Sequence, residues 1–408
     1  MIAPASHSFL SCIQDFCDEL PDFLFHSASA EPFAPLEYET ECRIKNLALK
    51  RFWKLNGLPG APQPLIPAVL PRHYRTNSKR RCVFSHGKVQ LLHPGHSQQD
   101  GLRGNLQYSM LEPELHHRIY ELVLEIISRP PFQFFARNLN YCIVRGGDRK
   151  AAVILNLAKI DAAIVRKLKI IASELQREIP EVVSCFLYLD ESRSPYYLEA
   201  KRSEKKVGYK KLFGSSFLDI TLPDGNRLLY PPTGFSQGNE AMIPTFLNTV
   251  EQLIRPEADA RLLDLYCGYG LIGLFLVPKV DSMIGVEIDG PSVKAAAASA
   301  EHLYRKKEIR FIRGEIGPAL IRTRLPAPAE KELLVLDPPR SGTADDVIKE
   351  LARRSPLRVV HVICGTDVIP GSLQQWKSQD YLPSVIQPLD LFPGTPNLET
   401  MILLEKQS

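Results

Sequence analysis

Two hydrophobic periods divide the chain. From about residue 245 onward, short apolar runs at 261–266, 282–287, 309–313, 333–336 and 359–363 alternate with segments of helical spacing. This alternation predicts an α/β fold, a doubly wound and mostly parallel sheet of Rossmann-like form. Upstream the pattern is mixed. Leu115, Ile119, Leu122, Leu124, Ile126 and Ile127 fit a helix over 112–128 with one buried face. Strand-like pieces at 141–145, 152–157 and 185–189, with a helix over 161–177 between the last two, predict a smaller α+β domain. The pieces 217–222 and 227–230, joined by Pro223-Asp-Gly-Asn, read as a hairpin.

Residues 1–40 show no sustained period, and a helix over 39–56 follows, stopping at Gly57. The segment 58–71 holds too many prolines for a regular element, because each removes an amide donor and restricts the residue before it. These shifts suggest an N-terminal extension over 1–40, an α+β middle domain over 41–211 and a C-terminal α/β domain over 212–408.

With 408 residues, 44% hydrophobic and 24% charged, the chain has the make-up of an ordinary globular protein with more than one core. A formal net charge of +4 tolerates a polyanionic partner without demanding one. The eight cysteines are scattered, unlike a small disulfide scaffold, and the N-terminus lacks the pattern of a signal peptide. A cytoplasmic setting is the expectation. The longest apolar stretch, around 262–277, is broken by Asp264 and several glycines and is too short for a bilayer, so no membrane role is expected. No obligate protein partner is evident, and no His or Cys cluster has zinc spacing, so no catalytic metal is expected.

The candidate chemistry is concentrated in the C-terminal domain. The first strand runs through Leu262-Leu-Asp-Leu-Tyr-Cys267 into Gly268-Tyr-Gly-Leu-Ile-Gly273, where glycines let the backbone turn and approach a ligand closely. Glu287, ending the next strand, suits ribose hydroxyls. By themselves these features fit an NAD-dependent oxidoreductase as well as a methyltransferase. The later strand end Asp337-Pro-Pro-Arg340 shifts the balance, because its two prolines stiffen the loop and leave Asp337 to line a pocket. Cys364 follows at another strand end, and Glu399 comes 35 residues later in Asp390-Leu-Phe-Pro-Gly-Thr-Pro-Asn-Leu-Glu399. A thiolate is an intrinsically strong nucleophile and a carboxylate within reach can take a proton, so the pair suggests methyl transfer to carbon.

With these motifs in this order, the part from about residue 212 to 406 resembles the RNA (uracil-5-)methyltransferase family, which uses S-adenosylmethionine. The resemblance implies Cys364 as nucleophile and Glu399 as general base. It also implies Gln237, in Phe235-Ser-Gln-Gly-Asn239, Tyr266 and Glu287 at the cofactor, with Asp337 between cofactor and uracil. The chain departs from the family in having Gly365-Thr366 after the cysteine, where Asn-Pro is usual, and Asn397-Leu398 before the glutamate, where His-Val is usual. Many relatives carry a four-cysteine iron–sulfur site. Here Cys12 and Cys17 are spaced Cys-x4-Cys, Ser109 stands about where the fourth cysteine would be, and an intact cluster is not expected.

C5 of uracil is a poor nucleophile until a thiolate adds at C6, and the C5 proton must leave before the cysteine is expelled, which accounts for both residue types. The expected partner is RNA, either transfer RNA or ribosomal RNA, with its uridine flipped out of the stack. Phosphate contacts would come from the run 72–81, in which five of ten residues are Arg or Lys, from the basic and tyrosine-bearing segment 196–211, and from Arg340. The altered neighbours of Cys364 keep a second reading open, a catalytically weak relative that binds and remodels RNA.

Overall fold

The C-terminal apolar runs form one seven-stranded sheet. Its order is Glu308–Arg313, Ser282–Glu287, Arg261–Leu265, Glu332–Leu336, Arg358–Ile363, Glu399–Lys406, Tyr381–Leu389. The first five strands are parallel and the last two antiparallel. Leu262, Leu263, Leu333, Leu334, Val335, Val359 and Val360 are all buried, the near-continuous apolar strand pattern that a sheet covered on both faces requires. The order reverses between Arg261–Leu265 and Glu332–Leu336, and the crevice beyond the carboxyl ends of those two strands is where such sheets bind ligands. The structure, a computed structural model, describes residues 7–20, 23–27, 29–95, 102–191 and 208–407. Among them no helix is long and apolar enough to cross a membrane.

One face of this sheet is covered by the helices Ile243–Ile254, Leu271–Leu276 and Gly290–Leu303, which share an apolar cluster with Leu262, Leu333 and Val360. The same cluster takes in the hairpin residues Leu218, Ile220, Leu228 and Tyr230, and Ile143, Ile154 and Phe186 of a second sheet. That second sheet has eight strands, in the order Leu102–Arg103, Leu106–Gln107, Lys88–Leu92, Asn77–Ser85, Leu139–Gly147, Lys150–Leu157, Val182–Leu189, Gly208–Gly214. Its other face packs on the helices Glu114–Ser128 and Ala162–Glu178.

The opposite face of the C-terminal sheet holds a departure from the expected division. The helix Tyr38–Leu55, expected to open the middle domain, buries Ile44, Ala48, Leu49, Phe52 and Trp53 in one cluster with Leu263, Leu336 and Ile402 of the C-terminal sheet. A further helix, Phe9–Cys17, lies in the segment that showed no period, and it adds Phe9, Cys12, Ile13 and Cys17 to that cluster. Those positions do have helical spacing, but nine residues give too short a window for the period to stand out. Packing therefore joins this N-terminal region to the C-terminal sheet rather than to the middle one.

The proline-rich segment has a role its composition did not reveal. Backbone bonds from Gln63 N to Ile386 O (2.9 Å), Ile66 N to Pro388 O (3.0 Å) and Asp390 N to Ile66 O (2.9 Å) lay it along the outermost strand Tyr381–Leu389. It covers an edge that would otherwise offer unpaired backbone groups.

Candidate active site

At the end of Arg261–Leu265 the chain turns abruptly. Tyr266 has φ = 63°, a left-handed conformation uncommon outside glycine, and Gly268 (54°) and Gly270 (83°) continue the turn. A Cβ placed on Gly268 would meet nothing within 4 Å, so the outer side of the turn is open. Its inner side is fastened to Glu287, whose carboxylate accepts from Gly268 N at 3.1 Å and from Asp289 N at 2.7 Å. Beneath the turn, the buried Asp264 accepts from Gly273 N at 2.9 Å. Burial pushes its carboxyl up to about 7.

The segment Phe235-Ser-Gln-Gly-Asn239 comes to this turn from the side of the middle sheet. Thr76 N donates to Gly238 O (3.0 Å), Thr76 Oγ1 to Gln237 O (3.2 Å) and Asn77 Nδ2 to Ser236 O (2.9 Å). A cleft results, lined by Phe235, Gln237, Tyr266, Gly268, Tyr269 and Asp337. Three of the four expected cofactor residues thus share one cleft, and the fourth, Glu287, is one hydrogen bond behind it. Tyr269, which sequence reasoning passed over, also lines it.

Cys364 and Glu399 meet at the neighbouring strand ends. In the antiparallel ladder Ile363 faces Thr400, so the next pair outward brings Cys364 alongside Glu399. Asp337 stands beyond the adjacent parallel strand, where Leu336 is in register with His361. Burial raises all three groups. The Cys364 thiol is pushed up to about 12 by burial and then by Glu399 and Asp337, while Arg340 pulls it down. Glu399 is raised well above the carboxylate range by burial and Asp337, and Arg340 again opposes the shift. Asp337 is raised by burial to about 7. Three acidic groups this close do not all ionise together at neutral pH, and their titrations belong to the set. Glu399 Oε1 is buried and has no hydrogen-bond partner among the described residues, so an acceptor is held ready in the cleft wall.

Gly365 explains one departure in the sequence. A Cβ there would lie 2.8 Å from the carbonyl oxygen of Arg340, so the turn after Cys364 presses against the Asp337-Pro-Pro-Arg340 loop. On its other side, Asp367 accepts from Phe9 N at 2.7 Å, tying the first helix to the same turn.

The loop leading into Glu399 is held by residues the sequence did not single out. Lys45 Nζ, fully buried, donates to Asp390 (2.9 Å), to Glu41 (2.7 Å) and to Phe392 O (3.3 Å). Gly394 N donates to Glu41 (2.6 Å), Tyr74 hydroxyl to Pro393 O (2.9 Å) and Asn239 Nδ2 to Leu391 O (3.2 Å). Phe392 in turn lies 5.9 Å under the guanidinium of Arg340.

The basic run 72–81 divides in two. Arg72 bonds Glu41 and the carbonyls of Phe33, Ala34 and Leu36, and buried Arg80 makes a two-pronged pair with Glu112 (2.8 and 2.6 Å). These two hold the fold, while Arg81 is exposed and Lys79, half-buried, lies over the Tyr141 ring. Most of the second basic segment, residues 196–207, lies outside the described residues. Cys12 and Cys17 are core residues, and Ser109 donates to buried Glu31 at 2.9 Å.

The sheet order, with its switch-point cleft and antiparallel last pair, defines a class I methyltransferase fold of Rossmann-like form. The chain belongs to the tRNA (uracil-5-)-methyltransferase family, whose family model matches residues 200–407. It is 32% identical over 214 residues to an uncharacterized RNA methyltransferase of Chlamydia trachomatis, covering 52% of this chain and 53% of that protein. It therefore spans about half the length of that relative. A second uncharacterized RNA methyltransferase, from Thermotoga maritima, is 24% identical over 376 residues, 91% of this chain and 81% of the relative. The crystal structure of Pyrococcus abyssi tRNA (uracil-54, C5)-methyltransferase in complex with S-adenosyl-L-homocysteine superposes with a TM-score of 0.68 at 18% identity, covering 91% of this chain and 85% of that one.

Proposed function

We propose that the chain transfers a methyl group from S-adenosylmethionine to C5 of a uridine in RNA, through a covalent adduct of Cys364 at C6. The observation that carries this reading is the register that sets Cys364 beside Glu399, one strand from Asp337 and the Gln237–Tyr266 cleft. The open side of the Gly268 turn, with Glu287 fastened behind it, fits an adenosyl group whose ribose hydroxyls hydrogen-bond to that carboxylate. When bound, the cofactor supplies an electrophilic methyl group. Gln237, Tyr266 and Asp337, which line one cleft, would hold it.

In the reaction the Cys364 thiolate forms a bond to C6, and the electron pair displaced from the C5=C6 bond makes C5 nucleophilic. After C5 gains the methyl group, Glu399 takes the C5 proton. The pair from that C–H bond restores C5=C6, and the S–C6 bond breaks with its electrons returning to sulfur. Glu399 performs this step only as the carboxylate, and Arg340 is the cation that favours the ionised form of both groups. The transfer-RNA substrate named for the family and for the Pyrococcus enzyme makes transfer RNA the first choice of partner here.

The test is transfer of labelled methyl from S-adenosylmethionine to unmodified total RNA, followed by nucleoside analysis. Labelled 5-methyluridine that disappears with Cys364→Ala supports the proposal. RNA binding without any labelled product would favour the non-catalytic reading.

A further inference from the structure

Asn397 stands two residues before Glu399, where the family pattern has a histidine, and the chemistry above gives it no part. Alternation decides which way it faces. Leu398, Ile402 and Leu404 belong to the apolar cluster on one face of the C-terminal sheet, and Leu389, Met401 and Leu403 to the cluster on the other. Glu399 is paired with Leu389, so its side chain lies on that second face, and Asn397, two residues earlier, falls on the same side. Val362, two residues before Cys364, is in the second cluster as well, which puts Cys364 there too. Asn397, Glu399 and Cys364 therefore border one space. At ~3.3 Å per residue, Asn397 is ~7 Å from Glu399 along the chain. That is the scale of one pyrimidine ring with a hydrogen bond of ~2.9 Å at its edge.

The hydrogen bonds fix which way round the amide sits. Thr395 Oγ1 donates its one proton to Phe392 O (2.8 Å), so towards Asn397 it can only accept. It receives Asn397 N at 3.3 Å and Asn397 Nδ2 at 3.1 Å. The amide nitrogen is thus turned to Thr395 with one N–H committed, which leaves the carbonyl oxygen and the second N–H to meet a ligand. Phe392 packs at the margin of the same apolar cluster as Leu389 and lies under Arg340, so the loop that carries Asn397 is a wall of the space beside Glu399.

We propose that Asn397 reads the edge of the flipped uracil, its carbonyl oxygen accepting from N3–H and its second N–H donating to O4. The inference rests on the uridine reading above and supplies its base specificity. Cytosine presents the reverse pair, an acceptor at N3 and a donor at N4, and an amide free to turn over would suit either base. Thr395 denies that turn, because its oxygen has no proton left to offer the amide carbonyl. The site therefore separates two bases of one size by leaving the wrong one with opposed, unpaired groups.

The test uses the full chain and transfer-RNA transcripts carrying uridine or 3-methyluridine at the position that the wild type methylates, located first by mapping labelled product. 3-Methyluridine keeps C5 and C6 but has a methyl group in place of the N3 proton. Wild type should prefer uridine by at least about 100-fold in kcat/KM, because its amide oxygen meets that methyl group. Asn397→Ala removes both the acceptor and the obstacle. Its kcat/KM on uridine should fall at least about tenfold, and it should process the two transcripts within about threefold of each other. A residue that only holds the loop would slow both transcripts alike, so a ratio unchanged from wild type, or wild-type turnover of uridine by the variant, would overturn the proposal. Thr395→Val frees the amide to turn over and should raise methylation of a cytidine transcript, relative to uridine, at least about tenfold; no rise would equally overturn it. Should Asn397→Ala melt early, Asn397→Ser, which can still donate to Thr395, is held to the same ratio. Failure of the methylation reading shows separately, as no product from the wild type on any RNA, and takes this inference with it.

Discussion

The ammonium of Lys45 lies 2.9 Å from the carboxylate of Asp390, and neither side chain is exposed to solvent. The pair joins the helix Tyr38–Leu55 to the loop that ends at Glu399, Asp390 being 345 residues from Lys45 in sequence. Glu41, one turn before Lys45, shares the ammonium and also receives Gly394 N, so the loop is gripped at two points.

Lys45→Met should therefore be strongly destabilising, by about 3–5 kcal/mol, because it leaves Asp390 as an uncompensated buried charge and Glu41 with Arg72 as its one remaining cation among the described residues. Adding Glu41→Gln and Asp390→Asn should recover part of that loss, since no buried carboxylate is then left without a cation, while Arg72 keeps its bonds to the Phe33, Ala34 and Leu36 carbonyls. Denaturant unfolding of the single and triple variants checks both statements. Methyl transfer by the triple variant should stay impaired, because the loop has lost its ionic clamp.

The sheet and most of the candidate site were legible because each local pattern agreed with the fold. The five parallel strands read as apolar runs, and Tyr266, Glu287, Asp337 and Cys364 all stand at their carboxyl ends. The Lys45 clamp was not legible. A Glu and a Lys four residues apart on a helix read as a solvent-exposed pair, and only the tertiary packing of that helix on the C-terminal sheet buries them. The same applies to the arginines of the run 72–81: sequence counts charges, but the alternation of the strand decides which of them face Glu112 and which face outward.

Cys364 and Glu399 should fail at different steps. Cys364→Ala removes the proposed nucleophile and is expected to abolish methyl transfer while cofactor affinity, measured by calorimetry, stays within about threefold. Glu399→Gln leaves addition and methyl transfer possible but removes the acceptor for the C5 proton. A covalent RNA–protein adduct should then accumulate and be retained on denaturing gels. Full turnover in either variant would contradict the assigned roles.

The rate should rise with pH through neutrality. In the proposed mechanism both groups act in their deprotonated forms, and burial raises both, the thiol up to about 12. Single-turnover rates are expected to climb between pH 7 and about 9. Arg340 favours the ionised form of each, so Arg340→Gln should displace the profile to higher pH as well as lower its height. A profile flat from pH 6 to 9 in a chemistry-limited assay would mean that neither proton is removed in the step observed.

Gly365→Ala tests the contact between the cysteine turn and the Arg340 loop. The added Cβ would sit 2.8 Å from a backbone oxygen, which has no side-chain rotation to relieve it, so Cys364 or the loop must shift. Displacement of a reacting atom by even ~1 Å can cost about 100-fold in rate. The variant should lose that order of activity with a far smaller change in melting temperature than Lys45→Met. Wild-type turnover would show that the turn has slack.

Asp264 gives a pH signature in stability rather than rate. Its carboxyl is held at about 7 in the fold, mainly by burial, against a usual value near 4 when unfolded. Between those values the folded state binds the extra proton, so this group's contribution is full below about pH 4 and is lost as the pH rises to about 7. The slope for one such group is at most about 1.4 kcal/mol per pH unit. Asp264→Asn keeps an oxygen to accept from Gly273 N and removes the titration, so its unfolding free energy should fall less steeply over pH 4–7 than that of wild type. Asp337 and Glu240, also raised to about 7, keep part of the slope in the variant. Identical slopes in the two proteins would mean that Asp264 is already ionised in the folded state, and that the turn of the candidate cofactor cleft is built over a charge.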